Sequence, residues 1–581
     1  MESEATAGRG RHLWMALAIA LAIGLPIRLI VADRAVMVSR DAVDFIWYAQ
    51  AMQADPLRAV REHAQHPLYP AMLLAAHGVV QRLPIVPAAV RTDEIRSWTV
   101  AAVSATMLGG LAVVIACYLL TARLFNWQAG LVAAVLAAAA AEFCQLSADG
   151  LTDMPHLAVY LMAMWAGLRA LDTRRYRWFA AAGALAGVGY LLRPEGAEPA
   201  VIFVAVLLVP RLCQLGWRQR LAGAACVLAA SALVASPYML ATGKLVQKKS
   251  IRQFLHSEDS ASIETPTPAS LADAGDAARG GGHELWHSRP RLCFLTPGEP
   301  SRGRLGHTIT AIRCHTPARE HRKVDAVQAG AVGDVGRALY AIGENWLRSL
   351  RVTFLLPALA WLIGRRRMPG RPVGLRMVQG AMGLHVAILA ALLIQFDYWK
   401  AFSLRHVMIL AGLTLPFAAA GVVLIVESLP EKRQDWATLL LGLGLVAPTL
   451  PWMFEPRHGD EAHHYSAARW MHDNTPHSPR VLADRHRMAF YAGGDYIPAP
   501  WHGNAAAYLA RARTSHPDWL AFDERRMLRE YPHFFDDLAA AVVPGERVER
   551  ARIETNKTRH GPRRVLIYHY LPPPAGSRAG P

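Results

Sequence analysis

The chain has 581 residues, of which 53% are apolar and only 18% charged, and its formal net charge is +17. This balance excludes a soluble globular or a disordered protein, because the apolar residues form blocks of about 20, long enough to cross a bilayer. The blocks are rich in Ala, Leu and Val and do not alternate in polarity, which excludes the strands of a membrane barrel.

Eleven apolar segments are predicted to span the membrane. They lie near residues 12–32, 98–121, 129–147, 152–170, 178–192, 197–212, 221–241, 347–364, 377–396, 404–427 and 437–453. The first follows Arg9 and Arg11 and has no usual cleavage site after it, so it is predicted to be a retained signal anchor. A further apolar segment near 66–83 is predicted to lie at the membrane interface.

The positions of the basic residues predict the orientation. Every loop on the side of the N-terminus carries arginine or lysine, whereas the short loops on the other side hold only Arg193, Lys400 and Arg405. This asymmetry predicts a cytoplasmic N-terminus in a multi-pass protein of the cell (inner) membrane, and it explains the net positive charge without a nucleic-acid partner. Eleven spans then place three long segments outside: 33–97, 242–346 and 454–581.

Two domains are predicted. Residues 1–453 form an all-α transmembrane domain. Residues 454–581 are predicted to form a small extracytoplasmic α/β domain, because strand-like runs at 480–483 and 565–568 alternate with helix-like stretches at 465–474 and 504–513. The stretch 257–333 is rich in Gly, Pro, Ser and Ala and is predicted to be largely disordered. Within it, Cys293 and Cys314 are candidates for a disulfide if the loop is extracytoplasmic.

Acidic residues follow the first span. On a helix, Asp41, Asp44, Phe45 and Tyr48 share one face, which places two carboxylates and a phenol beside the membrane. A partly desolvated carboxylate can act as a general base on an acceptor hydroxyl. The alternative is an ordinary acidic helix start.

A second acidic group lies at the turn between the third and fourth predicted spans. Asp149 is interpreted as a helix cap or a solvated loop residue. Asp153 is interpreted as a functional residue that binds sugar hydroxyls or orients the base, with a helix cap as the alternative.

The outer-face cations form the third group. Arg193 precedes Glu195 in a turn, and the planar fork of an arginine suits a phosphate. Such cations beside carboxylates suit a substrate with a phosphate and a sugar, although each one alone is compatible with an interfacial side chain. The other candidates are Lys244, Lys400, Arg405 and His406.

Two histidine motifs remain. His66 and Tyr69, in the run His-Pro-Leu-Tyr-Pro, are candidates for substrate binding, with a structural histidine as the alternative. His463 and His464 have no spaced partners, so they are interpreted as surface residues and no metal site is predicted. No cofactor is expected.

These motifs together resemble the GT-C superfamily of membrane glycosyltransferases, in particular its protein O-mannosyltransferase-like and aminoarabinose transferase-like branch. The resemblance covers about residues 12–453. It rests on Asp41, Phe45 and Ala49; His66, Pro67 and Tyr69; Thr152, Asp153 and Pro155; the turn 193–196; and Arg405 with His406.

The resemblance implies a polyprenyl-phosphate sugar donor and a first-loop acid as general base. That acid is Asp41, although Asp44 stands in place of an adjacent second acid, so either carboxylate is a candidate. The predicted reaction transfers a sugar to a hydroxyl of a protein, lipid or glycan at the outer face, with Arg193, Arg405 and Lys400 on the phosphate. The alternatives are a lipid-linked sugar transporter or flippase, a non-catalytic membrane anchor, and a polymerase or ligase of lipid-linked sugars.

Overall fold

The structure is a computed structural model that describes residues 13–243, 331–351, 353–395, 399, 402–500, 504–558 and 561–572. Two cations of the predicted site, Lys244 and Lys400, lie outside the described residues, as do Cys293 and Cys314. The stretch 257–333, predicted to be disordered, also lies outside them, apart from its last three residues, which begin a helix.

Helices make up nearly all of the described chain before residue 454. In chain order they are α1 (Leu13–Arg34), α2 (Arg40–Ala54), α3 (Pro56–Glu62), α4 (Leu68–Arg82), α5 (Ala88–Thr92), α6 (Glu94–Leu124), α7 (Trp127–Ala139), α8 (Ala141–Leu146), α9 (Asp153–Thr173), α10 (Tyr176–Leu192), α11 (Glu198–Leu208), α12 (Trp217–Thr242), α13 (Ala331–Ser349), α14 (Leu355–Gly364), α15 (Pro372–Gln395), α16 (Met408–Glu427), α17 (Glu431–Val446) and α18 (Leu450–Met453). Two 3-10 turns matter below, Pro194–Ala197 before α11 and Leu404–Val407 before α16.

Five of the described helices are long and apolar enough to cross a membrane. They are α1, α6, α12, α15 and the helix Leu404–Glu427, which joins the second 3-10 turn to α16. The prediction of a multi-pass membrane protein is therefore supported. The predicted number of eleven spans is not confirmed, because the other predicted spans correspond to helices that are shorter, interrupted or, like α9 with its 21 residues, not apolar enough.

The segment 347–364 shows why the prediction of one continuous span is wrong there. α13 ends at Ser349, Arg351 adopts a left-handed conformation, and α14 begins only at Leu355. Pro357 then stands in the first turn of α14, where its missing N–H is not needed. Elsewhere, the extended backbone of Ala140 separates α7 from α8 within the predicted span 129–147.

The first loop, residues 33–97, folds into helices that lie over the ends of α6 and α9. α2 begins where Ser39 Oγ accepts a hydrogen bond from the N–H of Ala42, which places Asp41 in the first helical turn. The backbone N–H of Ser39 in turn donates to the carbonyl of Asp149, before α9. The loop is thereby fixed against the transmembrane helices.

The C-terminal part contains a five-stranded mixed sheet. Its strands are β1 (Arg480–Ala483), β2 (Asp495–Pro498), β3 (Trp519–Asp523), β4 (Arg547–Thr558) and β5 (Gly561–Leu571), in the spatial order β2-β1-β3-β5-β4. β1 runs parallel to β2 and β3, whereas β5 runs antiparallel to β3 and β4. The helices are α19 (Ala462–Asp473), α20 (His486–Tyr491), α21 (Ala505–Ser515), α22 (Glu524–Glu530) and α23 (Phe534–Ala540).

Alternation along the strands distributes apolar side chains to two layers. Val481 and Ala483 face α19 and α20, whereas Leu482 faces the layer of α21 to α23. The first layer does not end at the sheet, since Met37 and Phe45 of the first loop belong to the same buried cluster. The C-terminal tail, residues 454–581, and the first loop therefore share one hydrophobic core.

Candidate active site

A carboxylate of the first loop meets an arginine that precedes α16. Arg405 Nη2 lies 2.6 Å from Asp41 Oδ2, and both side chains are partly exposed. The turn that carries Arg405 is fixed by its own cap, because the N–H of Ser403 donates to His406 Nδ1 over 3.1 Å. Asp41 and Arg405, predicted from separate motifs, are thus brought together.

A second arginine–carboxylate pair lies beside the first. Arg193 Nη1 lies 2.6 Å from Asp153 Oδ1, and Arg193 Nε lies 3.5 Å from Glu195 Oε2. Asp153 is buried in the first turn of α9, whereas Arg193 ends α10 and begins the 3-10 turn. Gly196 closes this turn directly against the backbone of Gly189, leaving no room for a side chain.

The two arginines line one cavity of about 20 Å³, which has room for about one water molecule. His156, on α9, also lines it. This side chain is 3% exposed, and its Nε2 has no hydrogen-bond partner within the part of the chain that the structure describes. The complete lining consists of Asp153, His156, Leu157, Arg193, Glu195, His385, Leu389, Arg405, His406, Met408 and Ile409.

A buried polar network supports the cavity from behind. Glu198 Oε1 lies 2.9 Å from His385 Nδ1, and Tyr160 donates its hydroxyl to Glu198 Oε2 over 3.1 Å. His385 Nε2 lies 3.0 Å from the carbonyl oxygen of His406. The network thus joins α9, α11 and α15 to the turn that holds Arg405.

Asp44 lies on the same helix as Asp41 but faces the C-terminal part. Its Oδ1 lies 3.4 Å from Nε2 of His486, at the start of α20. Burial and the neighbouring charge of Asp41 raise the pKa of Asp44 to about 7. Burial, with the positive charge of Arg40, lowers the pKa of His486 to about 4. Near neutral pH the pair therefore combines a neutral imidazole with a carboxyl group that is about half protonated.

Three of the predicted substrate-binding residues do not line the cavity. Tyr48 stacks on His63, with ring centroids 4.3 Å apart. His66 packs between Tyr190 and Tyr238, and the hydroxyl of Tyr69 shares a hydrogen bond of 2.8 Å with Thr106. These side chains pack between α2, α4 and α12, so their contacts are with other residues of the protein.

The interpretation of Asp149 as a cap or solvated residue is wrong. Asp149 is 1% exposed, and Arg457 Nε donates to its Oδ1 over 2.8 Å, with His458 Nε2 at 3.2 Å. Burial alone would raise the pKa of Asp149, but Arg457 and His458 outweigh it and lower the pKa to about 2. The residue fastens the transmembrane helices to the start of the tail.

The interpretation of His463 and His464 as surface residues is also wrong. They are 1% and 2% exposed, and they face the carboxylate of Asp523 at the end of β3. Their partner comes from a strand 60 residues further along the chain, so no local spacing pattern indicated it.

Sequence reasoning passed over three residues of the cavity and its support. His156 stands in the same motif as Asp153, but one histidine after a proline carried no separate signal. Glu198 and His385 each interrupt an apolar run, which is an intramembrane polar signal. Glu198 and His385 can be recognised as partners only when the packing of α11 against α15 is known, and a single sequence does not contain that information.

Residues 94–240 match the family model of dolichyl-phosphate-mannose-protein mannosyltransferases. Among solved structures, the chain is similar to the oligosaccharyltransferase AglB of Archaeoglobus fulgidus, in complex with an inhibitory peptide and a dolichol-phosphate: 12% identity, TM-score 0.52, over 97% of this chain and 74% of that one.

The chain is also similar to ArnT of Cupriavidus metallidurans bound to undecaprenyl phosphate, with 14% identity and a TM-score of 0.52 over 97% of this chain and 99% of that one. The fold is that of the GT-C glycosyltransferases. The GT-C resemblance of the sequence motifs is thereby confirmed. A comparison with curated protein sequences finds no significant match.

Proposed function

We propose that this chain is a membrane glycosyltransferase that moves a sugar from a polyprenyl-phosphate donor to a hydroxyl acceptor. The observation that carries the proposal is the convergence of Arg193 and Arg405 on one cavity, with the carboxylate of Asp41 held at its edge. The GT-C fold supports it, because AglB and ArnT are complexed with dolichol-phosphate and undecaprenyl phosphate, respectively.

The arginines would bind the phosphate of the donor. Arg193 and Arg405 present planar forks that match phosphate oxygens, and His156 adds a buried nitrogen that has no hydrogen-bond partner in the described chain. As the bond between the anomeric carbon and the phosphate oxygen breaks, negative charge accumulates on the departing polyprenyl phosphate. Fixed cations at that point stabilise the transition state more than the ground state.

Asp41 would act as the general base. The acceptor oxygen attacks the anomeric carbon, the proton of its hydroxyl passes to Asp41, and the polyprenyl phosphate leaves with the electron pair of the broken bond. A single displacement of this kind inverts the anomeric carbon. Asp44 is the second candidate, since a carboxyl pKa near 7 suits a base at neutral pH, but it faces His486 rather than the cavity.

Donor binding would also release the base. The cavity holds about one water molecule, so a sugar phosphate enters only if the two ion pairs open. Phosphate oxygens would replace Asp41 as the partner of Arg405, and the carboxylate would become available to the acceptor. The empty enzyme thus keeps its base neutralised until the donor is bound.

The predicted topology places this chemistry at the outer face of the inner membrane. The short loops next to Asp153, Arg193 and Arg405 hold few basic residues, whereas arginines cluster in the short loops on the opposite side, and it is the short loops that determine orientation. We propose accordingly that the tail is extracytoplasmic and that the acceptor, a protein, lipid or glycan hydroxyl, arrives from that side.

The test is transfer by purified full-length protein in lipid nanodiscs. Radiolabelled polyprenyl-phosphate hexoses and pentoses serve as donors, and hydrolysis is measured alongside transfer to added acceptors. Wild type is compared with Asp41→Asn and Asp44→Asn. Asp55→Asn is the matched control, because Asp55 lies in the same loop as the cap of α3, and asparagine caps helices equally well.

Activity in wild type and Asp55→Asn, with loss in folded Asp41→Asn, supports both the class and the base. Loss in Asp44→Asn alone supports the class and moves the base to Asp44. A wild-type protein that neither binds nor turns over any carrier-linked sugar overturns the proposal and favours the hypothesis of a transporter or of a non-catalytic membrane anchor.

A further inference from the structure

A helix packed on the C-terminal sheet contains a buried histidine pair that the proposed reaction does not use. His463 and His464 lie in the first turn of α19, and Asp523 ends β3. All three side chains are at least nine-tenths buried. One ligand atom from each lies within 4.8 Å of the other two.

His463 is buried without a hydrogen bond. Its side chain is 1% exposed, and neither Nδ1 nor Nε2 has a hydrogen-bond partner among the residues that the structure describes. A buried polar group without a partner destabilises the folded state, so such groups are nearly always satisfied by protein, water or an ion. The lone pair of a neutral imidazole is a good ligand for a transition metal.

The spacing of the other two groups suits a metal ion. His464 Nε2 lies 3.3 Å from Asp523 Oδ2, close to the roughly 3.3 Å between neighbouring ligands of a tetrahedral ion with bonds of about 2 Å. Asp523 Oδ1 is already engaged, because it accepts the N–H of Arg526 as the cap of α22. That bond fixes the carboxylate and leaves Oδ2 directed at the histidines.

The surrounding charges are balanced. Arg487 pairs with Glu461, and Arg563 Nη1 lies 3.4 Å from Asp460 Oδ2. Arg485, whose charge also acts on Asp523, has its Nε 3.9 Å from Asp484 Oδ2. All three guanidinium groups therefore have acidic partners other than Asp523. The carboxylate remains available to offset the charge of a divalent cation.

We propose that His463, His464 and Asp523 bind a divalent transition-metal ion of the Zn²⁺ type. Two imidazoles and one carboxylate are the ligand set that such ions prefer over Mg²⁺ or Ca²⁺, and they leave a fourth position for water. The ion would join α19 to β3 and so fasten the helix that follows Arg457 to the centre of the sheet. This role is separate from the proposed glycosyl transfer.

The test measures metal rather than turnover. Full-length protein is stripped with a chelator, dialysed and reloaded with Zn²⁺, and bound zinc is quantified by mass spectrometry together with the melting temperature. His463→Gln and Asp523→Asn are compared with wild type. His477→Gln is the control, since His477, in the connection before β1, is exposed and also contacts a carboxylate, with its Nε2 3.6 Å from Asp518 Oδ1.

We expect one zinc per chain in wild type and His477→Gln, a melting temperature that rises on reloading, and loss of both effects in the two site variants. Should a site variant fail to fold, Co²⁺ added to stripped wild type must give the intense visible bands of a tetrahedral site. Wild type that binds no zinc and gives no such bands overturns the proposal. Full retention of zinc by folded His463→Gln overturns it equally.

Discussion

Arg405 and Asp41 form an ion pair with Nη2 and Oδ2 2.6 Å apart, which joins the first loop to the turn that begins the late apolar helix. The pair connects the proposed phosphate ligand to the proposed base in a single contact. Binding of phosphate to Arg405 and release of the Asp41 carboxylate from its ion pair are therefore coupled.

Arg405→Lys should lower the rate of sugar transfer by about 100-fold, because an ammonium group keeps the charge but cannot hold phosphate through two parallel hydrogen bonds. Initial rates at saturating donor measure this effect. Arg96→Lys is the control, since Arg96 forms an exposed pair with Asp93 at the start of α6. A wild-type rate for Arg405→Lys would contradict the proposal that the guanidinium group of Arg405 binds the phosphate through two hydrogen bonds.

Asp44→Asn should change stability in a pH-dependent way. The folded state raises the pKa of Asp44 from 3.8 to about 7, so the stability contributed by its protonation is fully present below pH 3.8 and is lost as pH rises through 7. The variant should therefore melt higher than wild type above pH 7, and the difference should vanish towards pH 4.

The comparison of wild type with variant at each pH cancels the titration of groups that do not contact Asp44. Melting temperatures across this pH range in one detergent provide the measurement. A difference that does not vary with pH would show that Asp44 has an ordinary pKa in the folded protein.

Arg457→Met should destabilise the protein by about 3 kcal/mol, because it leaves the buried carboxylate of Asp149 without its main partner. Asp149→Asn in the same chain should restore part of this loss. Thermal unfolding of the two single variants and the double variant measures the coupling. Arg469→Met is the control, because the contact of Arg469 with Asp93 is long, at 3.9 Å. Simple additivity of the two changes would contradict the coupling.

Gly196→Ala should reduce both stability and transfer. A Cβ atom at this position would overlap with the backbone of Gly189, so the turn that carries Arg193 would have to move away from α10. Gly216→Ala is the control, since nothing lies within 4 Å of a Cβ atom there. Transfer rate and melting temperature are measured for both variants. A Gly196→Ala enzyme with wild-type values would show that the turn is not tightly packed.

Local sequence patterns were sufficient to predict features that depend on a single helix or strand. The run 480–483 forms a strand with the predicted bounds, and the acidic segment after the first span forms a helix with Asp41 in its first turn. A short apolar run and a serine cap are properties of neighbouring residues, so a single sequence contains them.

Pairing between distant elements was not predictable. Asp149 looked like a loop residue because its partner, Arg457, lies beyond the last apolar segment. His463 and Asp523 likewise meet only because α19 packs beside β3. Arg193 and Arg405 were found for a different reason: charges beside apolar segments are rare enough to be noticed without knowing their partners.

The shared core of the first loop and the C-terminal sheet has a consequence for biosynthesis. Met37 and Phe45 leave the ribosome early, whereas the side chains they pack against, such as Met488 and Phe490, are made near the end of the chain. At 5–20 residues per second, the interval is roughly 20 to 90 seconds. During that time the apolar side of the loop has no permanent cover, so a nascent chain of this protein would depend on the membrane surface or on a chaperone until translation ends.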